Sequence, residues 1–401
     1  MTSERLRIAF ATPEFVTEQH FDGGLANYLH RVSSMLADAG HDVHVVTLSS
    51  EDDAEFDHAG VMVHRVMPGP GRQRLNWLTR YRFLTTCHWL NVSSRMYRTL
   101  KELHRRHPFH LIQYPNYSSC GLFSIPLLRA AHVVRASSYQ PAWNDAAGLT
   151  RSLDIALEEK LEVLQYKLAR NVYAPSQMLQ TMLTEQAALP RVQVIRTPFY
   201  VETRDWDTSV YDQCLEGKRY VLYFGRFQLH KGVHVFARAL PRFLDCHPDA
   251  HAVFVGRDME TSLSPSMAAY ARAQCGPSAS RLIMIDNLPH RLLYPIVAGA
   301  RLVVLPSLID NLPNACLEAM GLGKPVIGTT GASFEELITD GVNGFLVPPN
   351  DPERLSEKMI SAWIDPRLDE IGRAAKQGMT DFAPEKTIAA LLTYYSDVMN
   401  R

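Results

Sequence analysis

The strongest constraint on this sequence is an alternation of short apolar runs with amphipathic stretches. It begins with the first residues and starts again near residue 220. Leu6–Ala11 is an apolar run, a loop follows, and apolar side chains between Leu25 and Ala39 then recur with the period of a helix. Gly40 is placed to end that helix, and Val43–Leu48 is a second apolar run. This order of elements is typical of the start of a doubly wound parallel sheet.

The alternation continues in two series. The first predicts further strands at Leu111–Tyr114, His132–Arg135, Val172–Ala174 and Val192–Ile195, and a helix at Leu153–Ala169. The second predicts strands at Tyr220–Phe224, Ala252–Val255, Leu282–Ile285, Leu302–Leu305 and Pro325–Gly328. We therefore predict an α/β chain with two Rossmann-like domains, at 1–197 and 220–384, joined by a polar linker at 198–219. A last helix, within 385–401, could pack on either domain, including back on the first.

Size and composition agree with this division. A chain of 401 residues is too long for one ordinary core, and 46% hydrophobic with 21% charged residues is typical of a globular protein. The net charge of -1 gives no bias toward nucleic acid, so we expect no nucleic-acid partner. The six cysteines show no C-x-x-C spacing, which favours free thiols in a reducing compartment. With neither a signal peptide nor a membrane-spanning run in the sequence, we expect a cytoplasmic protein.

The first candidate site is Gly225–Gly232, directly after the predicted strand Tyr220–Phe224. Arg226 and Lys231 lie five residues apart in a short loop, where both cations can converge on one anion such as a diphosphate. The two glycines permit a tight backbone around that anion. Cations at the start of a helix oppose its dipole, which favours a binding role over two solvated surface charges.

The second candidate site is the segment 306–326, after the predicted strand Leu302–Leu305. A polar turn at Asn311–Asn314 leads into a helix whose first amides can donate to phosphate or sugar oxygens. Glu318, about one turn into this helix, suits a vicinal diol such as the hydroxyls of a ribose. Asp310 alone would be an ordinary loop cap and Glu318 an ordinary surface glutamate, but the two in this frame indicate a binding site.

These two segments resemble the signature of the retaining GT-B glycosyltransferases of family 4, the glycogen-synthase-like or group 1 glycosyltransferases. The family's acidic residue, seven intervening residues and Glu match Asp310 and Glu318, and its Ala-Met and Pro-Val pairs match Ala319-Met320 and Pro325-Val326. Its Gly-Arg-x4-Lys-Gly companion matches Gly225–Gly232. The pattern continues at Gly331, Glu335, Glu336, Asp340, Gly341, Asn343, Gly344 and Phe345–Pro348, and at the N-terminal Phe21-Asp22-Gly23-Gly24.

The resemblance implies a fold and a reaction. The fold is GT-B, with two Rossmann-like domains facing each other across a cleft. The reaction is a hexosyl transfer with retention, from a UDP-, GDP- or other nucleoside diphosphate sugar to a hydroxyl acceptor that the sequence does not identify. Fixed cations rather than a metal would stabilise the leaving diphosphate, so no cofactor is expected.

The resemblance also assigns roles to individual residues. Arg226 and Lys231 would bind the diphosphate and Glu318 the ribose, while Gly23 and Gly24 would close over the phosphates. Arg226, Lys231 and Asp310 would form the catalytic group. The transferred sugar would be held by Asp310 and by the backbone of Asn311, Leu312, Pro313, Asn314 and Ala315.

The sequence departs from the family pattern in three places. Asp310 stands where Glu is commonest, which shortens the reach toward the sugar by one methylene. The stretch 133–139 holds no His, although many members carry one there, and Arg135, Ser137 and Ser138 are the candidates to act on the acceptor side instead. Thr197-Pro198 replaces the usual Asn-Pro before the linker.

Other functions remain open on the same residues. An epimerase or a phosphorylase would share this fold and donor site, and the missing His would also fit a non-catalytic protein that binds nucleotide sugars. Asp205-Trp206-Asp207 imitates the metal-binding DxD motif of other glycosyltransferases, but its place in the polar linker favours a solvated segment. We therefore predict no metal site.

The segment 72–106 is basic and contains interleaved aromatic residues. It holds nine Arg or Lys residues and one acid, Glu102. Such a helix can lie on an anionic membrane or bind an anionic acceptor, and it can equally be an ordinary amphipathic helix with aromatics in the core. Membrane contact would place the protein at the inner face of the membrane.

Overall fold

The computed structural model describes residues 5–18, 24–69, 76–201 and 205–401. It divides into two compact units. The first comprises Met1–Pro141, Thr150–Pro198 and Pro384–Arg401, and the second comprises Ala142–Leu149 and Phe199–Ala383. Of the predicted features, Gly23, residues 72–75 of the basic segment and residues 202–204 of the linker lie outside the described ranges.

The first unit is built on an eight-stranded sheet. Its strands are β1 (Arg7–Thr12), β2 (Asp42–Leu48), β3 (Ala54–His58), β4 (Val61–Val66), β5 (Leu111–Pro115), β6 (Ala131–Arg135), β7 (Val172–Ala174) and β8 (Val192–Val194). Their order across the sheet is β3-β4-β2-β1-β5-β6-β7-β8, and each neighbouring pair is parallel except β3 with β4.

Helices pack around the sheet of the first unit, and the first of them, α1 (Gly24–Asp38), buries an apolar stripe that includes Leu29, Val32 and Leu36 in its core. In chain order the helices that follow, up to β8, are α2 (Leu84–Arg106), α3 (Ser124–Leu127), α4 (Gln140–Ala146), α5 (Leu153–Ala169) and α6 (Gln177–Gln186). The last helix of the chain packs here too: Ile388, Leu391 and Tyr395 lie in one core with Phe10 and Val45. Most of α4 belongs to the second unit.

The second unit has a six-stranded sheet in which all neighbouring strands are parallel. Its strands are β9 (Arg219–Phe224), β10 (Ala250–Val255), β11 (Leu282–Ile285), β12 (Leu302–Val304), β13 (Val326–Thr329) and β14 (Phe345–Val347), in the order β11-β10-β9-β12-β13-β14. Its helices, and then the last helix of the chain, are α7 (Ser209–Leu215), α8 (Val233–Cys246), α9 (Met267–Cys275), α10 (His290–Gly299), α11 (Asn314–Gly321), α12 (Pro352–Trp363), α13 (Leu368–Gly378) and α14 (Pro384–Met399).

The sheet of the second unit is doubly wound. Val221 and Tyr223 of β9 face one core with α8 and α9, while Tyr220 and Leu222 face the other with α10 and α11. Alternate side chains of one strand therefore enter two cores, which explains the continuous apolar run in its sequence. The carboxyl ends of β9 and β12, which are neighbours, open onto loops at one edge of the sheet.

The predicted linker at 198–219 differs from the structure. Residues from Phe199 onward belong to the second unit, and 209–215 form α7. Leu215 is buried in the second core, with Val210 and Tyr211 packed against it. Of the polar residues that suggested a linker, Asp205, Asp207 and Thr208 precede this helix and Ser209 begins it.

Candidate functional site

The two candidate motifs of the second unit pack against each other at a glycine. Gly232 has a φ of 71°, and a Cβ built on it would lie 1.8 Å from the carbonyl oxygen of Pro306. Only glycine allows this approach of two backbones. The backbone N–H of Leu308 then donates to the carbonyl of His230 at 2.8 Å, which fixes the loop after β12 against the loop after β9.

An ion pair joins the two motifs at this contact. Lys231 Nζ lies 2.7 Å from Asp310 Oδ2, and the Asp310 side chain is only 10% exposed. Ser307 Oγ donates to the same oxygen at 3.1 Å, and the backbone N–H of Asn311 donates to Asp310 Oδ1 at 3.0 Å. The aspartate predicted from sequence is thus held in place on both of its oxygens, with one cation in contact.

Arg226 belongs to the same electrostatic environment. Burial, and then the charge of Lys231, lower the pKa of His230 to about 4; the charge of Asp310 opposes this shift and that of Arg226 adds to it. His230 is therefore neutral near pH 7. The charges of Arg226 and Asp310 also both reach the buried Tyr223 hydroxyl, which donates to the carbonyl of Arg226 at 2.9 Å. The charge of Arg226 therefore acts on the same two groups, His230 and Tyr223, as the charge of Asp310.

The turn at 311–315 is held by a residue that the sequence did not single out. Leu312 has a φ of 48°, and its N–H donates to Ser333 Oγ at 2.7 Å. Ser333 Oγ donates in turn to the carbonyl of Asp310 at 3.3 Å. The helix α11 begins at Asn314 after Pro313, and within the described ranges no side chain caps its first turn. Cys316 N–H donates to the carbonyl of Pro313 at 2.9 Å, so the amides of Asn314 and Ala315 are the candidates to bind a ligand oxygen.

Glu318 lies on α11 with its side chain buried. Its Oε1 is 3.4 Å from His290 Nε2, and the His290 ring stacks on Tyr294 with centroids 5.0 Å apart. His290 begins α10, so this contact ties the Glu318 helix to its neighbour. The Glu318 carboxylate therefore lies at the carboxyl edge of the sheet with one oxygen near the His290 imidazole.

In the first unit, the loop after β6 is organised by Asn116 and Glu162. Asn116 Nδ2 donates to Glu162 Oε1 at 2.5 Å and to Ser138 Oγ at 3.0 Å. Ser137 donates to Asn116 Oδ1 from its backbone at 2.8 Å and from its hydroxyl at 2.9 Å. Gln140 N–H donates to Glu162 Oε2 at 2.9 Å. Burial raises the pKa of Glu162 to about 7, although the Asn116 and Gln140 hydrogen bonds oppose it.

The structure separates the three predicted acceptor-side residues. Ser137 and Ser138 join the Asn116 network, whereas Arg135 lies elsewhere, buried with its guanidinium 3.7 Å from the ring centre of Tyr28. Arg135 Nη2 donates to Thr197 Oγ1 at 3.1 Å. Gly24 is the first residue of α1, on which Tyr28 also lies.

Sequence reasoning missed His290, Ser333, Asn116 and Glu162. Asn116 lies two residues after the predicted strand Leu111–Tyr114, and that position was a signal that could have been used. His290 and Glu162 lie on helices and Ser333 lies in a loop, and no local sequence pattern marks any of them. Only the packing of the fold brings each of them to its candidate site.

The imitation DxD motif has a structural role. Asp207 Oδ1 accepts from Ser209 N–H at 3.1 Å and so sits at the start of α7. Searched over its described part, the chain shows no group of three or more His, Cys, Asp or Glu side chains that could hold a metal ion together.

Two family models match the chain, one on each half. The model described as "Glycosyl transferase 4-like domain" matches residues 23–199, and the one described as "Glycosyl transferases group 1" matches residues 218–365. The second match includes both candidate motifs of the second unit, and the first includes the Asn116 network.

Similar proteins extend over nearly the whole chain. The glycogen synthase of Mycobacterium tuberculosis is 24% identical over 389 residues, which cover 92% of this chain and 89% of that protein. The solved structure of sucrose-phosphate synthase from Thermosynechococcus elongatus covers 99% of this chain and 100% of its own, with a TM-score of 0.77 and 19% identity. The structure of Anabaena HepE in complex with UDP and glucose covers 98% and 100%, with a TM-score of 0.71 and 19% identity. These matches confirm the predicted fold class of two Rossmann-like units of the GT-B type.

Proposed function

We propose a function on the premise that the chain belongs to the group 1 glycosyltransferases: it transfers a hexosyl group, with retention, from a nucleoside diphosphate sugar to a hydroxyl acceptor. The observation that carries the proposal is the Lys231–Asp310 pair at 2.7 Å, which puts a cation for a phosphate and a carboxylate for a sugar hydroxyl at one point. Arg226 adds a second cation beside it.

In this proposal each residue acts on one part of the donor. Arg226 and Lys231 bind the diphosphate and stabilise the negative charge that grows on it as its bond to the anomeric carbon breaks. Glu318 binds the ribose hydroxyls. Asp310 and the backbone at 311–315 hold the sugar. The fixed cations supply the charge that a metal ion supplies elsewhere, so the proposed reaction is independent of metals.

The donor is the first point to test. HepE was solved with UDP and glucose, so UDP-sugars lead a panel that also contains GDP-, ADP- and dTDP-sugars. A ligand that binds the native state raises the apparent melting temperature by mass action, and the true donor should give the largest shift. Absence of a shift with every member of the panel would contradict the proposal.

Turnover is then measured as release of the nucleoside diphosphate from that donor, with and without an acceptor extract. Lys231→Ala and Glu318→Ala should abolish turnover and keep the fold, while the exposed Lys376→Ala and Glu353→Ala in the same unit serve as matched controls. Turnover in the presence of EDTA tests metal independence, and the anomeric proton coupling of the product tests retention. Conversion of the donor to an epimer without acceptor would identify an epimerase instead.

A separate part of the proposal concerns the start of the basic segment. Trp77 and Tyr81 are 71% and 63% exposed, Leu78 and Leu84 are exposed beside them, and Arg80 lies between. The Tyr81 N–H donates to the carbonyl of Asn76 at 2.8 Å, so these side chains project from an ordered turn. Searching the described helices reveals none long and apolar enough to cross a bilayer.

We propose that this aromatic and basic turn rests on an anionic membrane surface. Aromatic rings favour the interfacial region, and arginines favour anionic headgroups. Trp77→Ser/Tyr81→Ser should lose sedimentation with phosphatidylcholine vesicles that contain phosphatidylglycerol, while Leu127→Ser, at an exposed leucine elsewhere in the first unit, should keep it. Equal sedimentation of the three proteins, or none by the wild type, would remove this part of the proposal.

A further inference from the structure

A charged cavity lies in the second unit, away from the two motifs that carry Lys231 and Asp310. It has a volume of about 420 Å³. We call it the basic cavity because five of its lining residues are cations: Lys218, Arg219, Arg301, Lys324 and Arg373. The acid Asp369 also lines it.

The basic cavity lies at the amino end of the sheet. Arg219 is the first residue of β9, Arg301 directly precedes β12, and Lys324 precedes β13 by two residues. The loops that carry Lys231 and Asp310 follow the carboxyl ends of the same strands. Six residues of extended chain span about 20 Å, so the basic cavity and the proposed donor site are separate places.

Most of these cations lack a carboxylate partner. Arg219 pairs with Asp249, which does not line the cavity, and Arg301 donates Nε and Nη2 to the Trp363 carbonyl at 2.9 and 2.7 Å. Across the described part of the chain, Lys218, Lys324 and Arg373 make no ion pair within 4.0 Å. The carbonyl of Trp363 thus accounts for Arg301, whereas, among the described residues, Lys324 has only the charge of Asp369 acting on it, without an ion pair within 4.0 Å.

The incompletely paired positive charges of the basic cavity lower the stability of the fold. Burial lowers the pKa of Lys324, although the charge of Asp369 opposes the shift. Burial, followed by the nearby charge of Arg219, lowers the pKa of Arg301, and the charges of Asp369 and Asp249 oppose that shift. Both directions are those expected where a positive charge is only partly compensated. An anion between the cations would complete that compensation.

A cavity in the first unit serves as an internal comparison. It has a volume of about 370 Å³ and is lined by Arg65 and Arg95 among others. There Arg65 lies 2.9 Å from both Glu18 and Glu51, and Arg95 lies 3.6 Å from Asp53. Among the described residues, two of the three arginines of that cavity have a carboxylate partner, whereas only Arg219 of the five cations in the basic cavity has one.

We propose that the basic cavity binds a small phosphate-bearing anion, and that it does so independently of the proposed donor site. Its volume lies within the range of about 300–1,000 Å³ found for small-molecule sites. Arginine forks and lysine ammonium groups are the side chains that phosphate oxygens accept from most strongly.

The test uses calorimetric titration with inorganic phosphate, pyrophosphate and glycerol 3-phosphate. All proteins carry Lys231→Ala, which disables the proposed diphosphate site and prevents it from contributing. Adding Lys218→Gln, Lys324→Gln and Arg373→Gln should weaken binding of the best probe at least about tenfold, equivalent to roughly 1.4 kcal/mol. Arg301 is left intact because its contact with Trp363 supports the fold.

The matched control adds Arg238→Gln, Arg272→Gln and Arg354→Gln, three exposed cations elsewhere on the second unit with the same loss of charge. It should bind as the Lys231→Ala parent does. Equal weakening in both triple variants would reduce the effect to net charge and overturn the proposal. So would failure of all three probes to bind the parent at millimolar concentration. Neither result depends on whether the donor proposal holds.

Discussion

The candidate sites of the two units hold their acidic side chains in opposite ways. In the second unit, Asp310 contacts Lys231 and Glu318 lies near His290, so each acid has a basic partner. In the first unit, Glu162 accepts hydrogen bonds from the neutral groups of Asn116 and Gln140.

The difference teaches what each site can do. A carboxylate paired with a cation can share that cation with an arriving anion, so the second unit is suited to binding and releasing a charged ligand. A carboxylate saturated by neutral donors ties together the chain segments that carry them. Glu162 therefore fixes the loop of Ser137 and Ser138 rather than offering a charge to a substrate.

The largest effect is expected from breaking the charge pair. Lys231→Met leaves the Asp310 carboxylate without its cation and the proposed diphosphate without one of two positive charges. Turnover should fall about 100- to 1,000-fold, the usual loss when one preorganised charge-stabilising donor is removed. The measurement is initial-rate release of nucleoside diphosphate, with exposed Lys376→Met as the control. Near-normal turnover in Lys231→Met would show that the pair is structural.

The second effect falls on stability. Glu162→Ala removes the acceptor of Asn116 Nδ2 and of the Gln140 amide, and each buried donor left unpaired costs about 1–3 kcal/mol. We expect a loss of about 2–4 kcal/mol in unfolding free energy, seen in the urea midpoint. Glu162→Gln keeps an acceptor oxygen and should recover part of the loss.

The control for this prediction is Glu185→Ala, at an exposed position on α6. It should unfold as the wild type does. If Glu162→Ala left stability unchanged but abolished turnover, the carboxylate would act on the substrate, and the contrast between the two sites would be wrong.

The third effect is the pH dependence of Glu158, one turn before Glu162 on α5. Burial, and then the nearby Asp154 carboxylate, raise its pKa to about 7 from an ordinary value of 4.5. The folded state therefore favours the protonated form. Its contribution to stability is complete below pH 4.5 and is lost as the pH rises through 7.

Glu158→Gln removes this titration. The stability of the variant relative to wild type should rise between pH 4.5 and pH 8, by an amount on the order of 1–3 kcal/mol. Melting temperatures across that range measure it, and a flat difference would contradict the assignment. The comparison with wild type is needed because His44 acts in the opposite sense: burial lowers its pKa to about 4, so its contribution is lost as the pH falls from 6.5.

Much of the fold could be predicted from sequence because buried parallel strands are continuous apolar runs. The predicted strand Leu282–Ile285 and helix Leu153–Ala169 have the bounds that the structure shows. The antiparallel pair of β3 with β4 was missed because β3 is a half-exposed edge strand of polar residues, with no apolar run to mark it. The three-residue strand β14 was also missed, although β7 and β8, of the same length, were predicted.

The candidate site, like the fold, could be predicted only in part from the sequence. Lys231 and Asp310 each stand in a local motif after a predicted strand, so both could be named from sequence. Their ion pair joins residues 79 positions apart and depends on the approach of Gly232 to Pro306, which no local pattern encodes. Glu162 lies on a correctly predicted helix, but its burial depends on Asn116, which is distant in sequence.

The smallest effect is expected at Asp205 and Asp207, acids that follow no strand and form no ion pair within the described ranges, although the charge of Arg291 reaches Asp207. Asp207→Asn keeps the oxygen that accepts from Ser209, and asparagine tolerates the φ of 60° at position 205 as well as aspartate does. The double variant should keep wild-type turnover and melting temperature, with and without added Mg²⁺, whereas Asp310→Asn should lose turnover because its charge faces Lys231. A loss in the double variant equal to that of Asp310→Asn would place a functional acid away from the strand ends, and the contrast between the two sites would no longer explain where this chain carries its chemistry.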